Sequence, residues 1–366
     1  MKILIIKLSS LGDLIHTFPA ITEAMQKNRE LNLYPSLQFD WLVDESFKDV
    51  PNFQPYIHQV FTVPLRKKNY LTALKKLINI KKLNQAKPYD LIIDAQGLIK
   101  SAALLFLLKK IAHKTIGLDF HSARESYASF FYQEKFSIPK NLHAIDRLRL
   151  LFSKALNYPI TLETHIINSI TNSITNPTID SSPPTWETNP PIKVLFLHGT
   201  TWPTKQWPDV YWIQLGKILS QKNMQILLPW YGPEEHTRVL SFQKQIPNSL
   251  ILPSYSLKEF FNFLKTTPPN LIIAVDTGLT HLAAALNIPM ISLFGPTSAE
   301  KTGPKGENQT ILNADFPCAP CFSKTCLYLK KLGTKTKITP PCFESLNPEI
   351  VSQMVNKTVI EKINKI

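Results

Sequence analysis

Four short stretches place reactive side chains directly after apolar runs. In "ILIIKLSSLGDLIH", two serines, Gly12 and Asp13 follow a buried-looking strand and lead into a helix. A carboxylate there is either a helix-capping group or a reacting group such as a general base. In "AVDTGLTHLAAAL" a strand ends at Asp276, and Thr277 and Gly278 open a helix. The free N–H groups and dipole of such a helix suit a phosphate. His281, in the first turn, can donate to a phosphate oxygen; alternatively Asp276 is only a cap and His281 a packed histidine. "LHGTTWPTKQWP" clusters Thr200, Thr201 and Lys205 past a third strand, either a diphosphate clamp or a solvated polar loop. "LPWYGPEEH" supplies Glu234 and Glu235, either acceptors for ribose hydroxyls or glutamates favoured by a helix dipole.

The last three stretches together read as one nucleotide-diphosphate site. No Walker A string and no G-x-G-x-x-G is present. No D-x-D pair stands ready for a divalent ion. Phosphate charge therefore falls to Lys205, His281 and backbone amides, which points to chemistry without a catalytic metal.

The elements that must position these residues alternate strand and helix. "KILIIKL", "LQFDWLVDE", "YIHQVFTVP" and "YDLIIDAQ" read as strands, with helices over 13–27, 70–86 and 98–111. Pro19 distorts the first of these helices. The stretch "NSITNSITNPTIDSSPPTWETNPP" lacks apolar periodicity and reads as a linker. Beyond it the alternation restarts with "IKVLFLHGT" and runs through "MQILLPW", "SLILP", "LIIAVD" and "MISLFG". This predicts an α/β chain with two Rossmann-like, doubly wound domains. The boundaries expected are 1–170 for the first domain, 171–191 for the linker and 192–346 for the second. A last helix, 347–366, is expected to pack back on the first domain. Ligands gather beyond the carboxyl ends of such strands, so the expected site is a cleft between the domains.

The chain has 366 residues, enough for two ordinary domains. Its formal charge of +14 favours anionic partners. Much of that charge falls in "PLRKKNYLTALKKLINIKKLNQAK", where Leu71, Leu74, Leu77 and Ile78 keep an apolar helix face. That stretch is either a solvated helix or a seat on an anionic lipid surface. Few aromatics interleave with the basic residues, which argues against nucleic acid. Neither a signal peptide nor a membrane-spanning run is read in the sequence. All four cysteines, Cys318, Cys321, Cys326 and Cys342, follow a C-x2-C-x4-C-x15-C pattern. They are either reduced thiols or ligands of a structural zinc.

The strings "ILIIKLSSLGDLIHTFPAI", "DAQGLIKSA", "ARESYASFFY", "LHGTTWPTKQWP", "LPWYGPEE" and "VDTGLTHLAAAL" occur in that order. Together they resemble the ADP-heptose:lipopolysaccharide heptosyltransferase family of GT-B glycosyltransferases, over roughly residues 1–296. The opening string favours type I members, whereas the cysteine-rich segment is more similar to type II. The resemblance implies inverting transfer from ADP-L-glycero-β-D-manno-heptose to the Kdo of Kdo-lipid A, without a required cofactor. It implies a peripheral protein on the cytoplasmic face of an anionic inner membrane. By the family's motifs Asp13 would be the general base. Thr200, Thr201, Lys205, Glu235, Tyr255, Asp276, Thr277, Gly278 and His281 would hold the donor. Arg66, Lys67, Lys68, Lys100 and Arg124 would face the acceptor's anionic groups. The competing readings are a type II or related transferase with another acceptor, and a non-catalytic binding protein for anionic lipid.

Overall fold

The computed structural model describes residues 1–66, 69–162, 191–332 and 338–363. The chain divides into two compact units, Met1–Asn172 and Ser173–Ile366. Of the linker expected at 171–191, only Pro191 falls among the described residues.

The first unit runs β1 (Lys2–Ile6), α1 (Leu11–Ile15), α2 (Phe18–Leu31), β2 (Gln38–Asp44), β3 (Ile57–Val63), α3 (Tyr70–Asn84), β4 (Tyr89–Asp94), α4 (Ile99–Leu108), β5 (Ala112–Leu118), a 3-10 helix at Ser126–Phe131, β6 (Glu134–Phe136) and α5 (Ala144–Leu156). Its six strands lie in the order β3-β2-β1-β4-β5-β6. Every pairing is parallel. Parallel strands covered on both faces must be apolar throughout, which is why Ile3, Leu4, Ile5 and Ile6 are all fully buried.

The second unit repeats the plan. It runs β7 (Ile192–Leu197), α6 (Asp209–Ser220), β8 (Met224–Leu228), α7 (Gly232–Gln243), β9 (Ser249–Ile251), α8 (Leu257–Thr266), β10 (Leu271–Val275), α9 (Gly278–Ala285), β11 (Met290–Phe294), α10 (Ala299–Thr302), β12 (Gln309–Asn313), α11 (Leu327–Leu332) and α12 (Pro348–Ile363). The order is β12-β11-β10-β7-β8-β9, again all parallel. In each sheet the first strand is flanked by strands reached in opposite directions. The carboxyl ends of β1 and β4, and of β7 and β10, are therefore the switch points where such sheets open to ligands.

Several elements differ from the sequence expectation. The helix expected at 13–27 is two helices, broken at His16 and Thr17, and Pro19 falls in the first turn of α2. A proline is tolerated there because its missing N–H would have had no intrahelical partner. β5, β6, α5 and β12 were not anticipated; three are short or partly polar strands near or at sheet edges. Helix α12 packs on α6 of its own unit. Val351 and Val355 enter the core beside Trp207 and Trp212, and the Trp207 indole N–H donates to Leu346 O at 2.9 Å. Among the described residues no helix is long and apolar enough to cross a membrane.

One buried ion pair fixes α2 against α5. The Arg149 guanidinium, 2% exposed, meets the Glu23 carboxylate at 3.0 and 2.8 Å through Nε and Nη2. Arg149→Met is expected to cost about 3–5 kcal/mol in urea unfolding, because Glu23 is left buried and unpaired. Adding Glu23→Gln is expected to restore part of that loss; a single-variant cost below about 1 kcal/mol would count against the pair as the tie.

Candidate active site

At the first switch point, a buried network of side chains frames Asp13. Asp94, at the end of β4, accepts from Gln96 N (2.8 Å), Gly97 N (3.1 Å), the Ser101 hydroxyl (2.8 Å) and the Tyr132 hydroxyl (2.7 Å). Burial pushes its carboxyl up, and these bonds oppose the shift. Gln96 Oε1 in turn accepts from Leu8 N at 3.0 Å and Ser9 N at 3.3 Å. The loop after β1 is thus fastened to the loop after β4. Gly97 takes a positive φ of 68° to make that turn.

Lys7 is buried beside this loop, and its ammonium donates to Ala95 O at 2.7 Å. Burial pulls its pKa down, while Asp13 and Asp94 hold it up. Asp13 is half-buried in α1. Its Oδ2 accepts from Ser10 N at 3.1 Å and from the Ser10 hydroxyl at 3.0 Å. Both bonds fall on Oδ2, so among the described residues Oδ1 keeps its lone pairs for another molecule. Burial alone would raise the Asp13 carboxyl. Lys7, the two Ser10 bonds and Arg124 outweigh it and hold the carboxyl below the usual carboxylate range. The capping role occupies Oδ2 alone.

Of the expected acceptor residues, Arg124 is exposed and shares the electrostatic surroundings of Asp13 and Lys7. Lys100 is exposed in the first turn of α4. Arg66 is exposed past β3, its backbone N–H on Asp44 Oδ2 at 3.0 Å and its guanidinium 4.5 Å from the Phe47 ring centre. Among the described residues no hydrogen bond or ion pair links Arg66 or Lys100 to Asp13. Lys67 and Lys68 lie outside the described residues.

At the second switch point Asp276 gathers four side chains. Its carboxylate lies 2.7 Å from Lys205 Nζ, accepts from the Thr297 hydroxyl at 2.6 Å and lies 3.9 Å from His281 Nε2. Its carbonyl accepts from the Thr200 hydroxyl at 3.2 Å. Thr277 is the extended N-cap of α9, makes no side-chain cap bond, and is followed by Gly278 at the first helical position. Glu235 stands over Gly199, where a Cβ would lie 2.2 Å from Glu235 Oε1. Its Oε2 accepts from Tyr231 N at 2.8 Å. Burial pushes the Glu235 carboxyl up, against the Tyr231 N–H and Arg238. Thr201 is exposed in the loop after β7. Tyr255, past β9, stacks on Phe263 with ring centres 5.7 Å apart, and among the described residues no hydrogen bond or ion pair joins it to the Asp276 cluster.

Thr297 and the paired carboxylate role of Asp276 were missed, although "MISLFGPT" is a strand end like the others. Lys7 was missed too; a lysine inside an apolar strand was the available signal. Arg147, whose Nη2 donates to Ser122 O at 2.5 Å and whose pKa burial pulls down, is with Arg124 a second cation acting on Lys7.

The four cysteines do converge. Cys318, Cys321, Cys326 and Cys342 line one small cavity with Thr204 and Phe316. Yet among the described residues no three His, Cys, Asp or Glu side chains form a group that could hold a metal ion. The structural zinc suggested by the spacing is not supported. Burial together with the other three sulfurs pushes the Cys342 thiol up to about 12.

A test of the Asp13 environment needs no substrate. Carboxyl-carbon NMR titration is expected to place Asp13 below the ordinary value of 3.8. Lys7→Met removes the main opposing charge, so the Asp13 titration should move upward. An unchanged Asp13 titration would show that Lys7 does not hold it ionised.

A family model described as glycosyltransferase family 9 (heptosyltransferase) matches residues 78–332. A Pseudomonas aeruginosa protein named lipopolysaccharide heptosyltransferase 1 is 37% identical over 369 residues, covering 98% of each chain. The solved structure titled E. coli heptosyltransferase WaaC with ADP superposes with a TM-score of 0.76 at 31% identity, over 98% of this chain and 100% of that one. A second, WaaC with ADP-2-deoxy-2-fluoro heptose, gives 0.74 at 32% identity, over 98% and 99%. Two parallel six-stranded α/β sheets with this match make the fold GT-B, as expected from the sequence. The family model spans most of the chain and the Pseudomonas relative nearly all of it, so the chain belongs to glycosyltransferase family 9, the heptosyltransferases.

Proposed function

We propose that this protein is an inverting, metal-independent heptosyltransferase. It moves L-glycero-D-manno-heptose from ADP-L-glycero-β-D-manno-heptose to the Kdo of Kdo-lipid A, on the cytoplasmic face of the inner membrane. The observation that carries the reading is Asp13: a half-buried carboxylate kept ionised by Lys7, with one oxygen committed to Ser10 and the other open. The type I designation of the Pseudomonas relative and the ADP-bound WaaC structures support donor and acceptor.

In this reading Asp13 Oδ1 removes the proton from the acceptor hydroxyl as its oxygen bonds to the anomeric carbon. The bond from that carbon to the ADP oxygen breaks on the opposite face, and the β donor gives an α product. Lys205 and the first N–H groups of α9 meet the charge growing on the departing diphosphate. Asp276 holds Lys205 in place at 2.7 Å, and His281 donates to a phosphate oxygen. Glu235 takes the ribose hydroxyls, with Gly199 leaving the space its carboxylate needs. With Lys205 supplying positive charge and no D-x-D pair in the sequence, the step is written without a catalytic metal. Arg66, Lys67, Lys68, Lys100 and Arg124 receive the acceptor's phosphates and carboxylates, and Thr200, Thr201, Tyr255, Thr277 and Gly278 complete the donor side.

The test is transfer from ADP-heptose to Kdo-lipid A by parent and Asp13→Asn. The variant is expected to lose roughly 10²–10⁴-fold in kcat with donor affinity largely kept. A variant retaining most of its kcat would remove the base assignment and favour a binding protein. Transfer only to an already heptosylated acceptor would favour the type II reading, which the cysteine-rich segment resembles.

A further inference from the structure

Most of the exposed large hydrophobic side chains among the described residues fall between Tyr70 and Phe130. They occupy adjoining elements. Helix α4 packs beside α3 on one side and beside the 3-10 helix Ser126–Phe131 on the other. All three send their inner residues, including Leu77, Leu105 and Ala128, into the same core on the first sheet. Their outer faces therefore form one layer. Helix α3 turns Leu71, Leu74 and Ile78 outward, with Leu71 77% exposed. Helix α4 turns out Ile99, Phe106 and Leu107. The 3-10 helix adds Tyr127 and Phe130, 65% and 67% exposed, which meet Phe120 in a cluster of three rings with centres about 6 Å apart.

Cations interleave with these groups. Lys75, Lys82, Lys109 and Lys110 are exposed on or just past the two helices. Lys109 sits 4.0 Å over the Phe106 ring and Lys135 5.9 Å over that of Phe130. Neither α3 nor α4 contains an acidic residue. Glu125 is exposed at the start of the 3-10 helix, its Oε2 accepting from Ile99 N at 2.7 Å. A surface at once apolar and predominantly cationic is complementary to a bilayer with anionic headgroups. Rings and leucines enter the acyl boundary while lysines stay at the phosphates. Water alone gives no reason to expose so many large apolar groups together.

We propose that the outer face of α3, α4 and the 120–130 aromatic cluster is the membrane-docking surface of this protein, with an anionic lipid bilayer as its partner. The inference deepens the reading of a lipid-borne acceptor and extends the docking face well beyond the basic helix to α4 and the aromatic cluster.

The test is co-sedimentation of the full chain with phosphatidylcholine vesicles, with and without phosphatidylglycerol. Parent protein is expected to bind the anionic vesicles and to lose binding as salt rises. Phe106→Ser/Leu107→Ser/Phe130→Ser is expected to weaken that binding by roughly tenfold or more. Lys75→Gln/Lys82→Gln/Lys110→Gln should weaken it roughly fivefold per lysine. All six positions are exposed, so the variants should keep the parent's near-ultraviolet circular dichroism and unfolding midpoint. Equal vesicle binding by parent and aromatic variant would overturn the proposal. So would a parent dimer that the aromatic variant dissociates, since a second copy would then cover the face. Vesicle binding uses no turnover, so binding without heptose transfer upholds the surface and removes only the assigned reaction.

Discussion

The buried ammonium of Lys7 is the constraint around which the first unit is arranged. A charge at the end of a parallel sheet must be met by hydrogen bonds and opposite charge. Ala95 O supplies the bond at 2.7 Å, and Asp13 and Asp94 supply the charge. The same field acts back on Asp13. A half-buried carboxylate would otherwise drift toward its neutral form, which cannot take a proton. Tyr132, Ser101 and the Gln96 loop occupy Asp94 with hydrogen bonds. Asp94 is therefore committed to structure, and Asp13 is the carboxylate with an open oxygen.

The two units place opposite chemistry on the same architectural point. Each has its polar cluster where the order of strands reverses, at β1 and β4 or at β7 and β10. In the first, a carboxylate is held ionised among cations. In the second, a carboxylate positions a cation: Asp276 holds Lys205 and lies near His281. One arrangement suits proton removal, the other an anionic leaving group. Both rest on apolar strands that have no chemistry of their own.

Much of this was legible in the sequence because buried parallel strands are short apolar runs and the polar residues after them stand out. Asp13, Lys205, Asp276 and His281 could be read in this way. What escaped was set by pairing across the sheet. Thr297 becomes part of the site only because β11 lies beside β10, and Tyr132 only because the residues after β5 pass Asp94. The break between α1 and α2 shows the same limit. Pro19 announced a distortion, but whether it bends one helix or starts another depends on where the chain must turn. The cysteines illustrate the converse. Their spacing brought four thiols to one cavity, yet among the described residues they do not make a group that could hold a metal ion.

The most direct measurement of the central claim is the pH dependence of kcat for heptose transfer, with both substrates saturating, from acidic to mildly basic solution. A base at Asp13, held ionised by Lys7, gives an acid limb at or below the ordinary carboxylate range. An acid limb near neutral pH, retained when Asp13 is replaced by asparagine, would assign the proton transfer to a histidine and contradict the account.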